Sequence, residues 1–139
     1  MSRGGLTAGQ TGRVADVIPR DLPRPERLAA ILARDGGACV WCGRALAPGD
    51  RDLTFEHVVP RLKGGPAWAE NEVPACRPCN RRRGHLAPSA YLADCEARGL
   101  TPDRAAIEAS LRRLAEAIAV RGGQRRARPY LERELRRLG

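Results

Sequence analysis

Two Cys-x2-Cys pairs, Cys39/Cys42 and Cys76/Cys79, constrain this chain more than any other feature. Two residues between paired thiolates let both sulfurs reach one ion from a tight turn, and two such turns complete the four-sulfur tetrahedral shell that structural zinc prefers. The four cysteines therefore predict one zinc site. The gap of 33 residues between Cys42 and Cys76 exceeds that of a simple zinc ribbon, so the ion must close a loop that holds further structure. Disulfides are the rival use of the same cysteines. The chain opens without the charged-then-apolar pattern of a secretory signal, which points to a reducing, cytoplasmic setting and away from disulfides.

Within the loop, Leu53 to Val59 has the β-branched and aromatic character of a strand, and Pro60 stops it. A Glu56-His57 pair thus falls at a strand end. Arg61-Leu62-Lys63-Gly64-Gly65 follows as a turn by its glycines. Asn71 comes fourteen residues after His57, and Asn80 nine residues after Asn71.

Glu56-His57-Val58-Val59-Pro60, the Gly64-Gly65 turn, Asn71 and Cys76-Arg77-Pro78-Cys79-Asn80-Arg81-Arg82-Arg83-Gly84 resemble the motif of the HNH endonucleases, the ββα-metal nucleases, in their zinc-stapled form. The resemblance covers roughly residues 37 to 86. It implies a small α+β fold, a zinc-bound ββα-metal core flanked by helices at both ends. It also implies roles: Glu56 and Asn80 hold a catalytic divalent cation, His57 is the general base, and Asn71 supports the loop between them. The family more often has Asp before the histidine, and the extra methylene of Glu56 changes the geometry of the cation site. One carboxylate and one amide oxygen leave most of the cation's shell to water, which Mg2+ tolerates well, with Mn2+ as the alternative.

The chemistry asks for the same residue types. Hydrolysing a phosphodiester needs a base that accepts a proton near neutrality, which is imidazole chemistry. It also needs positive charge where the leaving oxygen develops negative charge, which a bound cation supplies. The expected reaction is cleavage of DNA to 5′-phosphate and 3′-hydroxyl ends. Two other readings use the same residues: a zinc-finger-like nucleic-acid binder that does not cut, and a nuclease directed at RNA. Cutting both strands of a duplex would take a homodimer or two sequential nicks by one site.

Formal net charge is +9. It is unevenly placed: residues 25–60 carry four Arg against five acids, whereas residues 61–86 carry six basic residues against two acids. The excess surrounds the motif, so Arg61, Lys63, Arg77, Arg81, Arg82 and Arg83 are expected to contact phosphates of duplex DNA. A second basic stretch, Arg121 to Arg128, reads as a glycine-loosened link without an acid beside it, and Arg125, Arg126 and Arg128 are expected to grip backbone there. No apolar run approaches the length of a membrane span, so no membrane partner is expected.

Four segments follow. Residues 1–22 read as a flexible tail. Residues 23–36 form a leading helix opened by Pro25, apolar at Leu28, Ile31 and Leu32, and closed by Gly36-Gly37. Residues 37–86 are the zinc-stapled core, in which Asn80 begins or precedes a short helix. Residues 87–139 are a helical extension: Ser89 to Arg98, then a helix capped by Thr101-Pro102 with Ile107, Leu111, Leu114 and Ile118 on one face, a stop at Gly122-Gly123, and a last helix from Pro129 with Leu131, Leu135 and Leu138. Cys95, spaced with Tyr91 and Leu92, reads as a core residue. His85 lies five positions past Asn80, off its helical face, and reads as a surface residue.

Overall fold

Pro25 lies in the first turn of the leading helix, where its missing N–H leaves no bond unmade, and α1 runs Arg24–Arg34 with Ile31 and Leu32 buried. The computed structural model describes residues 17–139. Most of the tail expected over 1–22 lies outside the described residues, and in the part that is described Ile18 is buried. After α1, Gly36 and Gly37 take positive φ of 94° and 76° and turn the chain into the first cysteine knuckle. That knuckle is closed by a bridge between Ala38 and Ala45 and by the Cys39 N–H donating to the Arg44 carbonyl at 2.9 Å.

Strand β1 (Leu53–His57) pairs antiparallel with β2 (Glu72–Cys76), placing Leu53 opposite Cys76 and His57 opposite Glu72. The ladder ends at His57, two residues short of the expected Val59. Past it the Val58 N–H donates to the Asn71 carbonyl at 2.8 Å, and Pro60 opens a single 3-10 turn, Arg61–Lys63. A second such turn, Ala69–Asn71, leads into β2.

Helix α2 (Arg77–Arg83) follows β2 directly, three residues ahead of the start expected at Asn80 because Pro78 suits its first turn, and packs against both strands, which completes a strand–strand–helix unit. The fold is small and α+β, as the sequence implies. Helices α3 (Pro88–Ala97), α4 (Arg104–Arg121) and α5 (Ala127–Leu138) come after it. Two boundaries differ from expectation. The cap of α4 is Asp103, whose carboxylate accepts from the Ala106 N–H at 3.0 Å, and α5 begins at Ala127 with Pro129 inside its first turn.

The C-terminal helices close over the hairpin. α4 packs on β2 and on the turn Ala69–Asn71, α5 packs on α3 and α4, and α1 covers both strands. One hydrophobic cluster runs from Leu32 through Trp41, Val58, Val73, Tyr91, Cys95, Ile107 and Leu114 to Leu138. The cysteine knuckle is tied into it on two sides: Val40 donates its N–H to the Pro74 carbonyl of β2 at 3.2 Å and accepts from the Asp103 N–H at 2.8 Å. Among the described residues no helix is long and apolar enough to cross a membrane.

Candidate active site

The turn after Cys39 and the start of α2 bring the four sulfurs of Cys39, Cys42, Cys76 and Cys79 within 4.8 Å of one another. Cys42 and Cys76 stand 3.9 Å apart, and a tetrahedral zinc with Zn–S bonds of about 2.3 Å separates its sulfurs by about 3.8 Å. All the cysteines are free thiols, and Cys95 stands apart in the core. Burial pushes the Cys39 thiol up to about 12 and Cys79 higher still. Cys42 goes the other way: burial raises it, but the Arg44 backbone N–H and the neighbouring thiols outweigh that. Four thiolates in this setting require a cation among them, and binding one expels their protons.

Cys79 fixes the first turn of α2, and with it the next residue, Asn80. The helix lies along the free edge of β1, whose outward carbonyls need donors. Asn80 Nδ2 donates to the Phe55 carbonyl at 3.1 Å. One turn on, Arg83 Nη1 donates to the His57 carbonyl at 2.8 Å and Nη2 to the Val58 carbonyl at 2.6 Å, while Nε serves Leu86 at 2.9 Å. Expected to reach phosphate, Arg83 instead has a side chain only 1 % exposed. Its donors are spent on the backbone that carries His57, so it is a structural tie and leaves the set of phosphate contacts.

Arg83 also meets Glu56, Nη1 to Oε2 at 3.3 Å, and the Trp41 indole N–H donates to the same oxygen. The other oxygen, Oε1, is buried without a partner. Burial lifts the Glu56 carboxyl to about 7 against the pull of Arg83 and Trp41. A buried carboxylate oxygen without a partner and, on α2, an amide whose N–H is already committed and whose oxygen is left to accept are the kinds of donor a hard cation takes. The residues fit a divalent ion, and the guanidinium of Arg83 on the same carboxylate weakens its hold.

Successive side chains of a strand point to opposite faces, so His57 leaves Glu56 behind. With Phe55 it faces a cleft of about 410 Å³ that Arg24, Arg27, Arg61 and Glu72 also line. Arg24 and Arg27 lie over the Phe55 ring at 5.0 and 5.5 Å. Glu72 Oε2 is 3.4 Å from His57 Nε2, and Arg27 holds the other oxygen of that carboxylate, Nε at 3.0 Å and Nη2 at 2.5 Å. Burial raises the Glu72 carboxyl, but His57 and Arg27 outweigh it and hold the group below the usual carboxylate range. Neither Glu56 nor Asn80 lines the cleft. The expected site residues thus sit on two sides of one strand, Glu56 and Asn80 toward α2 and His57 toward α1.

Asn71 joins the ends of the intervening loop. Fully buried, it accepts from the Val59 N–H at 2.9 Å and donates from Nδ2 to the carbonyls of Val59 and Pro66, each at 3.0 Å. Gly65 is required beside it, because a Cβ there would lie 1.8 Å from the Val59 carbonyl oxygen.

Arg61, Lys63, Arg77, Arg81 and Arg82 are exposed around this unit. Arg125, Arg126 and Arg128 are exposed too, but their link is not a free loop. Arg126 donates to the Leu62 carbonyl and backs onto Gly64, where a Cβ would lie 2.6 Å from its own. Arg121 has the acid that the sequence did not suggest, Glu70 at 2.9 Å, and lies over Trp68 at 4.3 Å. Four residues at the site had no sequence signal of their own: Trp41, which anchors Glu56, and Arg24, Arg27 and Glu72, which surround His57.

No curated protein matches the sequence. Among solved structures, the Type II-C Cas9 enzyme from Actinomyces naeslundii aligns at 21 % identity and a TM-score of 0.49, over 79 % of this chain and 13 % of that one, a likeness too slight to carry an argument. Residues 39–94 match the model of the HNH endonuclease family, a span that holds the four cysteines, β1, β2 and α2. Residues 39–94 are thus similar to the HNH endonuclease family, with α1 before them and α4 and α5 after them.

Proposed function

We propose that the chain is a metal-dependent endonuclease that hydrolyses phosphodiester bonds of duplex DNA to 5′-phosphate and 3′-hydroxyl ends. The observation that carries this reading is His57: an imidazole in an arginine-lined cleft, on a strand whose next residue inward is a buried carboxylate with an unpartnered oxygen. His57 takes a proton from the attacking water. Arg24 and Arg61, in the same cleft, hold the anionic backbone. Glu56 and Asn80, which lie on the α2 side of the same strand and outside that cleft, would hold Mg2+ or Mn2+, and the ion would supply Lewis acidity to the phosphate and its leaving oxygen. Asn71 keeps the Val58–Pro66 loop, and so the end of β1, in place.

Zinc at Cys39, Cys42, Cys76 and Cys79 fixes the knuckle and the start of α2, and the free thiols suit a reducing cytoplasm. Arg61, Lys63, Arg77, Arg81 and Arg82 contact the duplex around the cut, with Arg125 and Arg128 gripping backbone farther along. Incubating the purified chain with supercoiled plasmid, with and without Mg2+ or Mn2+, tests the reading: nicked or linear product is expected only with the cation. Plasmid retardation without any cutting would support the non-catalytic binder instead, and cutting of RNA alone would redirect the substrate. Linear product appearing before nicked product would indicate a homodimer acting on both strands.

A further inference from the structure

Glu72 belongs to no motif in the sequence, yet the fold gives it a fixed relation to His57. The two residues are partners across the hairpin, and the neighbouring pair on the same face is Phe55 with Pro74. Pro74 has no N–H to give the ladder, and its carbonyl points outward to the Val40 N–H. That pair, and by the alternation of an antiparallel ladder the His57–Glu72 pair two residues on, is therefore of the non-hydrogen-bonded kind, in which facing side chains approach most closely.

The carboxylate is divided between two partners. Oε1 receives Arg27 from α1, and Oε2 faces His57 Nε2 at 3.4 Å. Helix α1 holds the residue by its backbone as well, Arg34 Nη2 donating to the Glu72 carbonyl at 2.5 Å and Nη1 to the Ala69 carbonyl at 3.0 Å. Glu72 is 5 % exposed, and His57 Nε2 is sealed from solvent with no other acceptor beside it. A buried ring nitrogen facing a buried carboxylate oxygen closes to a hydrogen bond with a small ring rotation, and such contacts are commonly long before substrate binds.

We propose that Glu72 is the positioning residue for His57: it accepts the Nε2–H, fixes the plane of the ring and leaves Nδ1 as the nitrogen that takes the proton, with Arg27 and Arg34 of α1 holding Glu72 for that task. The inference rests on the reading of His57 as general base. In the proton step an O–H bond of water breaks as Nδ1–H forms, the hydroxide oxygen bonds to phosphorus as the bond from phosphorus to the 3′ oxygen breaks and that oxygen leaves to become the 3′-hydroxyl, and the ring becomes an imidazolium whose Nε2–H stays with Glu72. The carboxylate is not protonated. It balances the new charge on the ring and holds its direction, as an acceptor behind a functional imidazole does. Helix α1 lies before residues 39–94, so part of the machinery comes from outside the matched domain.

Two measurements on the whole zinc-loaded chain of residues 1–139 test this. The first is single-turnover plasmid cleavage in Mg2+ at saturating protein for wild type, Glu72→Leu and Glu72→Gln, each also in a His57→Ala background. Glu72→Leu should lose about 10- to 100-fold in rate with DNA affinity unchanged, and Glu72→Gln, which keeps an oxygen acceptor, should lose less. In the His57→Ala background neither change should have a further effect, because Glu72 acts only through the ring. An equal loss in both backgrounds would make Glu72 a merely structural residue and overturn the proposal, as would full activity of Glu72→Leu.

The second measurement needs no cleavage. The ring N–H of His57 should give a slowly exchanging downfield proton resonance, assigned by its persistence in His85→Gln and lost in Glu72→Leu. A resonance that Glu72→Leu leaves untouched, or its absence from the wild type, sinks the contact itself. Its presence in a protein that cuts nothing would keep the contact and discard the catalytic reading alone.

Discussion

Glu56 carries two opposed demands. Its carboxyl is raised to about 7 by burial, whereas the free acid of an unfolded chain titrates near the ordinary value of 4.5. A group whose folded value lies above its unfolded one stabilises the fold fully below the lower value and loses that contribution as pH rises through the higher one. Without added divalent cation, wild-type stability should therefore fall between about pH 4.5 and somewhat above 7, by on the order of 3 kcal/mol. Glu56→Gln should flatten that slope in urea unfolding across the same range, and should abolish Mg2+-dependent cutting. A slope that survives in Glu56→Gln would assign it to other groups. Asn71→Ala strands the Val59 N–H and two carbonyls, at about 1–3 kcal/mol for each buried group left unpaired. Its loss of activity should follow its loss of folded loop, seen as amide exchange at Val58 and Val59. At this scale, spacing singled out the cysteines, and the resemblance to the HNH motif singled out His57, Glu56, Asn71 and Asn80. It missed Glu72, whose pairing with His57 depends on a register that no spacing prints, and Arg83, where a run of arginines conceals that every third residue of a helix turns inward.

The elements were partly legible. Helical periodicity located α1, α3, α4 and α5, because apolar stripes and glycine stops are local properties. Strand β2 had no signal of its own: Glu72-Val73-Pro74-Ala75-Cys76 contains a proline that argues against a ladder strand. The ladder tolerates it because Pro74 occupies a position where no N–H is required. The cap at Asp103 and the helix start at Ala127 were each misplaced by two residues, since turn chemistry at Thr101-Pro102 and Pro129 resembles a helix start on either side of the true one. The basic link was read as a loose loop, but contacts of Arg126 with Leu62 and of Arg121 with Glu70 are made across the chain. With Arg126 committed, Arg125→Gln with Arg128→Gln should lower the slope of log affinity against log salt by about 1.8. Binding to the catalytically silent His57→Ala protein measures it, and an unchanged slope would return both residues to solvent.

Across the whole molecule, the division into a nuclease core and a helical extension dissolves in one hydrophobic cluster, to which the knuckle contributes Cys39, Val40 and Trp41. Zinc held by the four cysteines, as proposed, would contribute folding free energy, of order 10 kcal/mol or more in small metallodomains, and would couple it to helices on both sides. Strong chelation should therefore unfold α4 and α5 together with residues 39–94 in one transition, whereas Cys95→Ser should leave the zinc content at one per chain. Helices that keep their circular dichroism after the metal is gone would show that the zinc staples only its own knuckle. The central claim is that His57 is the base of a cation-dependent cleavage, and the direct measurement is plasmid cutting by wild type and His57→Ala across a Mg2+ titration at saturating protein. Cutting by the wild type should rise with Mg2+, and the rate for His57→Ala should be lower by about 10² to 10⁴ at every concentration, with DNA binding retained. Equal rates for the two proteins, or wild-type cutting that ignores Mg2+, would contradict that claim.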